Sequence, residues 1–223
     1  MSKLTLIEEG GNQIDAIYAA LGSREWLQAL MAISRDLAQQ GGKLIGMDNG
    51  RESTGRVVGI PRGGVPVGEA AAGVYPSSVL VFSNDGGSRD ASSSLIQEND
   101  FIGAEAVLLG DGIIASGGTI LRHINALVEL GLDPRDIAVI APIITELGIH
   151  SICADFPDVE LVSAHIESEG AHVKFTENGP VFCDSEDSDA VFVIGKIKTD
   201  SMGDIIDIEL GDFGDMFEQA VRH

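Results

Sequence analysis

Residues 107–119 read VLLGDGIIASGGT and connect an apolar stretch to a pattern of helical period. The residues before the first glycine are aliphatic, as in a strand buried on both faces, and apolar residues recur every three or four positions after the stretch. Gly117 and Gly118 let backbone N–H groups approach an anion closely, and the helix that follows presents the positive end of its dipole there. Ser116 and Thr119 add hydroxyl donors. The stretch therefore predicts a strand, a phosphate-binding loop and a helix.

A second stretch repeats this arrangement. Residues 57–67 read VVGIPRGGVPV, again an apolar run followed by a glycine-containing turn and a helical pattern. Arg62 carries a planar, permanently charged fork of donors that suits a diphosphate, for which lysine is a poor substitute. Arg62 and Gly63 are therefore candidates for binding a second phosphate group.

Short apolar runs alternate with helical patterns over most of the chain. Predicted strands cover 57–60, 78–83, 106–109, 137–144 and 159–164, and predicted helices cover 65–72, 119–129 and 146–154. This alternation predicts an α/β fold with a doubly wound parallel sheet and helices on both faces. An amphipathic helix at 24–40 is predicted to pack on that core. The 223 residues are interpreted as one domain, 1–223, with an N-terminal helical region at 1–50.

Together the two loops resemble the signature motifs of the type I phosphoribosyltransferase family. The resemblance implies that Asp111 holds the ribose hydroxyls of phosphoribosyl diphosphate and that Arg62 and Gly63 hold its diphosphate. It also implies that the 5′-phosphate is held by Ala115, Ser116, Gly117, Gly118 and Thr119. Most family members carry a second acid where this chain has Gly112. The uracil phosphoribosyltransferase branch lacks that acid, so the resemblance is closest to that branch.

Two further segments are similar to the uracil branch. Residues 210–215 read LGDFGD and resemble the segment that wraps the pyrimidine, which implies base contacts from Gly211, Asp212, Phe213 and Gly214. Residues 156–167 read FPDVELVSAHIE and are similar to a strand of the same branch. The implied reaction is transfer of ribose 5-phosphate to a nucleobase, uracil giving UMP, with release of pyrophosphate. Asp111 and Arg62 would be the catalytic residues, Mg²⁺ the cofactor, and a homodimer or higher homo-oligomer the assembly.

Two stretches interrupt the alternation. Residues 84–100 are polar and correspond to a mobile flap in the resembled family, where Arg89 would join the pyrophosphate site; the alternative is a solvated connecting loop. Residues 168–203 contain an acidic cluster and are predicted to form an inserted hairpin, or small hood, before the base-binding segment.

The charge balance restricts the range of partners. Thirty-five acidic residues against 14 Lys and Arg give a formal charge of −21, which disfavours nucleic acid as a partner. A polyanionic substrate would then need local positive charge from Arg62, helix N-termini and Mg²⁺. No apolar run reaches the roughly 18 residues of a membrane span and no signal-peptide pattern is seen, which predicts a cytoplasmic protein. Cys153 and Cys183 stand alone and are interpreted as structural thiols.

Several alternatives remain open at this point. Gly110, Gly112 and Ala115 fit a loose dinucleotide fingerprint, although Gly117 and Gly118 would then lie inside its helix. Asp111 could simply cap the turn after the strand, and Arg62 could be a surface arginine. A noncatalytic nucleotide- or diphosphate-sensing protein, or a transferase for another base, would keep the same phosphate loop.

Overall fold

The computed structural model describes residues 4–7, 23–61, 63–83 and 96–167, together with the backbone of five strands beyond residue 167. No helix in these ranges is both long and apolar enough to cross a bilayer.

A parallel sheet forms the centre of the molecule. Its strands are β1 (Leu4–Leu6), β2 (Gly55–Gly59), β3 (Val79–Phe82), β4 (Ala106–Gly110), β5 (Ile113–Ile114), β6 (Ile137–Thr145) and β7 (Glu160–Glu167). Their order is β1-β7-β6-β4-β2-β3, and the short β5 pairs with β6. Every neighbouring pair in this sheet is parallel. The predicted parallel sheet is confirmed, and the ends of the predicted strands differ from the observed ones by at most three residues.

Four helices in the described ranges cover the two faces of the sheet. They are α1 (Arg24–Leu44), α2 (Gly64–Val74), α3 (Gly118–Glu129) and α4 (Glu146–Asp155). α1 and α2 pack on one face with Val57, Leu108 and Ile140. α3 and α4 pack on the other face with alternate residues of the same strands, among them Val58 and Leu109. Because successive strand residues point to opposite faces, a near-continuous aliphatic run fills both cores.

Beyond the main sheet the structure contains antiparallel strands. β8 (Gly170–Thr176) lies between β9 (Gly179–Phe182) and β10 (Val191–Ile194), and β11 (Ile197–Thr199) pairs with β12 (Ile205–Ile208). The predicted single hairpin at 168–203 is thus replaced by a three-stranded sheet and a two-stranded one. The N-terminal region 1–50 also departs from the prediction, since Leu4–Leu6 adds a parallel strand to β7. Three residues are too few to show a period in the sequence.

Helix α1 continues past its predicted end at Gln40. Gly41 and Gly42 resemble a helix stop, yet both lie inside the helix, where the chain runs close to its neighbours. A Cβ built on Gly42 would lie 2.3 Å from the Oη atom of Tyr75. Tyr75 is buried, its hydroxyl donates to Asp48 Oδ1 at 2.8 Å, and burial raises the pKa of this phenol. These glycines therefore serve close packing, a use that the sequence does not distinguish from chain termination.

We expect Gly42→Ala to destabilise the protein because the new methyl group must displace a buried, hydrogen-bonded tyrosine. Overpacking of this kind costs about 1–3 kcal/mol. The matched control is Gly73→Ala on α2, whose Cβ would meet nothing within 4 Å. That change should stabilise the helix by about 0.5–1 kcal/mol through propensity alone. Urea denaturation of both variants measures the difference, and equal effects would contradict the packing argument.

Candidate active site

The chain reverses its direction across the sheet between β2 and β4. From β2 it passes through α2 to β3 on one side, and from β4 through α3 to β6 on the other. The carboxyl ends of β2 and β4 are neighbours, since Gly59 pairs with Gly110. In sheets of this kind the crevice at such a switch point binds ligands. The turn after β2 and the segment that leads from β4 to the 115–119 loop therefore start side by side.

Glycines bring the start of α2 into backbone contact with the end of β4. A Cβ built on Gly64, the first residue of α2, would lie 2.4 Å from the carbonyl oxygen of Gly110 and 3.1 Å from the Cα of Asp111. The Ile60 N–H donates to the same Gly110 oxygen at 3.0 Å, and the Gly64 N–H donates to the Ile60 oxygen at 2.8 Å. Only a residue without a side chain permits this approach. The start of α2 thus lies directly against the end of β4.

Asp111 lies at this junction, half-buried. Its N–H donates to the Ile140 oxygen at 3.1 Å, and its Oδ1 accepts the Gly112 N–H at 2.7 Å. Asp111 therefore does cap its own turn. A carboxylate has about four acceptor sites, and the Gly112 N–H uses one of them. The cap also fixes the orientation of the carboxylate, which is compatible with a binding role.

Beyond Asp111 the strand resumes in its original register. β4 pairs Val107 with Ile137, and β5 pairs Ile113 with Ile143, the same offset on both sides of the interruption. β4 and β5 are thus one strand broken at residues 111 and 112. The Thr145 hydroxyl donates a hydrogen bond to the Ala115 carbonyl, which keeps the same offset of 30 residues up to the first residue of the loop. The dinucleotide fingerprint does not fit this arrangement, because a second strand segment separates its glycines from the helix.

The loop at 115–119 ends in a left-handed turn. Gly117 has φ 80° and precedes α3, which begins at Gly118. Ser116, Gly118 and Thr119 are exposed. Neither α2 nor α3 has a side-chain cap among the described residues, whereas α1 and α4 are capped by a serine and a threonine. The positive dipole ends of α2 and α3 therefore meet at this edge of the sheet.

Two residues that the sequence reasoning passed over support this loop. Thr145 precedes α4 and bonds to the loop, and a threonine directly before a helix is an N-cap signal that could have identified it. His123 is buried in α3, and its Nδ1 bonds to the Thr119 carbonyl at 2.7 Å. Burial lowers the pKa of His123, which favours a neutral ring whose Nδ1–H donates. No sequence spacing pointed to this histidine.

Several predicted site residues lie outside the described residues. They are Arg62, Arg89, Gly211, Asp212, Phe213 and Gly214. Gly63 is described, buried, and lies at the N-cap of α2. The structure brings together Gly63, Asp111 and the loop at 115–119 at one edge of the sheet.

The acidic groups at this edge limit how Mg²⁺ could bind. No cluster of three or more potential metal ligands occurs in the described part of the chain. Mg²⁺ commonly binds through one or two carboxylates together with substrate phosphates and waters. The half-buried carboxylate of Asp111 is a ligand of the kind that binds an ion arriving with a polyphosphate substrate.

A family model and a curated relative both match this chain, and both are described as uracil phosphoribosyltransferase. The family model described as uracil phosphoribosyltransferase matches residues 24–179. The chloroplastic uracil phosphoribosyltransferase of Arabidopsis thaliana is 28% identical over 153 residues, which cover 66% of this chain and 50% of the plant protein. The chain thus spans about half the length of this curated relative.

A solved structure shows a similar fold. The AQ2163 protein of Aquifex aeolicus superposes with a TM-score of 0.60 at 15% identity, over 74% of this chain and 87% of that one. The orotate phosphoribosyltransferase of Aeropyrum pernix gives a TM-score of 0.45 at 22% identity, over 60% and 70% of the two chains.

Proposed function

The chain belongs to the uracil phosphoribosyltransferase family, and we propose that it transfers ribose 5-phosphate from phosphoribosyl diphosphate to uracil, giving UMP and pyrophosphate. One observation carries this proposal. The start of α2 and the end of β4 are in backbone contact at the switch point, so the two candidate phosphate-binding loops start side by side. A substrate with a diphosphate at one end of a sugar and a single phosphate at the other needs two such loops.

In the proposed reaction the bond from C1′ to the diphosphate oxygen breaks, with its electron pair leaving on pyrophosphate. A ring nitrogen of the base forms the new bond to C1′ and loses its proton to solvent. Positive charge develops on the sugar and negative charge on the leaving group, so fixed donors near the diphosphate stabilise the transition state. Asp111 would hold the ribose hydroxyls and keep C1′ in position. Arg62 and Gly63 would bind the departing pyrophosphate, with Arg89 as a further cationic contact.

The 5′-phosphate end of the substrate would be bound by the loop at 115–119. Its contacts would come from backbone N–H groups and from the exposed hydroxyls of Ser116 and Thr119. Mg²⁺ would neutralise charge on the diphosphate, with Asp111 as the protein group that fits it. The base would be held by Gly211, Asp212, Phe213 and Gly214. Local positive potential at this edge would offset the net charge of −21.

A panel of nucleobases tests this proposal. With labelled phosphoribosyl diphosphate and Mg²⁺, we expect uracil to be converted to UMP and expect the reaction to stop when EDTA removes the metal. Turnover with another base and not with uracil would retain the transferase and reject the uracil assignment. Nucleotide binding by titration calorimetry without turnover of any base would favour a sensing protein instead.

We also propose that the protein is a homodimer, as the resemblance implies. Val79 and Phe82 lie on β3 and are 46% and 45% exposed. Sedimentation equilibrium measures the mass in solution, and a monomer at micromolar concentration would reject the dimer. Cytoplasmic residence stays a prediction.

A further inference from the structure

Thr145 connects the phosphate loop to the neighbouring helix. It is the last residue of β6 and the N-cap of α4, and it is 3% exposed. Its Oγ1 accepts the Gly148 N–H at 3.0 Å and donates to the Ala115 carbonyl at 2.5 Å. The first bond caps its own helix. The second reaches the first residue of the 115–119 loop and serves no part of α4.

Gly148 supports the same contact from the first turn of α4. A Cβ built on Gly148 would lie 2.7 Å from the Ala115 carbonyl oxygen, so any side chain here would push that carbonyl away. A Cβ on Gly117 would in turn lie 3.2 Å from the Gly148 oxygen. The beginning and the turn of the loop are thus both held against α4.

This contact determines the direction of one loop amide. In a trans peptide unit the C=O and the following N–H point in opposite directions. The Ala115 carbonyl points to Thr145, so the Ser116 N–H points away from α4. Ser116 is exposed, whereas Thr145 is buried. A free peptide unit could instead turn its carbonyl toward the ligand, and that orientation would repel an anion.

We propose that Thr145 is a positioning residue of the 5′-phosphate site: its hydrogen bond to the Ala115 carbonyl holds the 115–116 peptide unit with the Ser116 N–H presented to the phosphate. This inference rests on the proposed function. It adds a residue that contacts no substrate and acts through the loop. Orientation before the ligand arrives lowers the free energy cost of ordering the loop on binding.

Two probes separate this role from a general loss of stability. Ribose 5-phosphate carries the group that the 115–119 loop would bind, whereas pyrophosphate would bind at the other loop. In Thr145→Val, which keeps the shape and removes the hydroxyl, we expect the dissociation constant of ribose 5-phosphate to rise about tenfold. The constant for pyrophosphate with Mg²⁺ should change by less than about twofold, since that loop keeps its hydrogen bonds. Titration calorimetry measures both.

Two control variants test whether the lost hydroxyl, and not a general loss of stability, weakens ribose 5-phosphate binding. Thr145→Ser keeps the hydroxyl and should restore ribose 5-phosphate binding to within about threefold of wild type. Ser23→Ala removes the N-cap bond to the Trp26 N–H on α1, where a similar loss of stability is expected without any effect on either probe. If Thr145→Val does not fold, Gly148→Ala replaces it, because the new methyl group would push the same Ala115 carbonyl away from α4. We expect the same loss of ribose 5-phosphate binding with little change in pyrophosphate binding.

Unchanged ribose 5-phosphate binding in a folded Thr145→Val protein would overturn the inference. An equal loss for both probes would do the same, because it would show only a structural role. If the wild-type protein bound neither probe, the proposed function itself would fail. The three outcomes are distinguishable in one set of titrations.

Discussion

Asp111→Asn should lower kcat/KM for phosphoribosyl diphosphate about 100-fold, the effect expected when one charged group aimed at the transition state is lost. The fold should be unaffected. An asparagine Oδ1 can still accept the Gly112 N–H, which lies 2.7 Å from the carboxylate in the structure, so the turn keeps its cap. Steady-state kinetics and a thermal melt measure the two parts of this result.

Asp155→Asn provides the matched control for this substitution. Asp155 is exposed at the end of α4, and the substitution removes the same charge at a distance from the switch point. We expect its kcat/KM to equal that of the wild type. Wild-type kinetics in Asp111→Asn would reduce Asp111 to a turn cap, the simpler alternative that its sequence position also allowed.

Gly64→Ala should affect both stability and activity. The new methyl group would lie 2.4 Å from the Gly110 carbonyl oxygen. All of its nearest neighbours are backbone atoms of Gly110 and Asp111, so no flexible side chain can move aside to relieve the clash. We expect a loss of about 2–3 kcal/mol in unfolding free energy. We also expect kcat/KM to fall about 100-fold, because the start of α2 must shift away from β4 and misplacement by about 1 Å has that cost.

The packing variant Gly42→Ala separates the two effects of Gly64→Ala. Gly42 contacts Tyr75 and not the loops, so its substitution lowers stability without moving either phosphate loop. At a temperature where both variants are folded, we expect Gly42→Ala to keep wild-type kcat/KM. Equal kinetic losses in the two variants would show that instability alone explains the result for Gly64→Ala.

The main sheet and its helices were predictable because local sequence determines them. Buried parallel strands are continuous aliphatic runs, such as Ile137–Thr145, and their period and length differ from those of amphipathic helices. The candidate loops followed from the same reasoning, since a glycine-containing turn after a buried strand lies at the carboxyl edge. The family resemblance assigned roles to these loops but did not supply their contacts.

The features that were missed depend on contacts between distant segments. Gly41 and Gly42 looked like a helix end, because sequence does not show that Tyr75 and the sheet lie against them. Leu4–Leu6 is a strand only because β7 offers an edge. Thr145 carried a local cap signal, but its bond to Ala115 joins residues 30 positions apart. Such contacts become visible only when the sheet register is known.

The unbroken register across the interruption at Asp111 and Gly112 fixes the number of residues that this site can contain. One inserted or deleted residue would shift Ile113 and Ile114 to the wrong faces of the sheet, exchanging their places in the two cores. The core itself therefore excludes insertions and deletions at the interruption, independently of the roles of the side chains there.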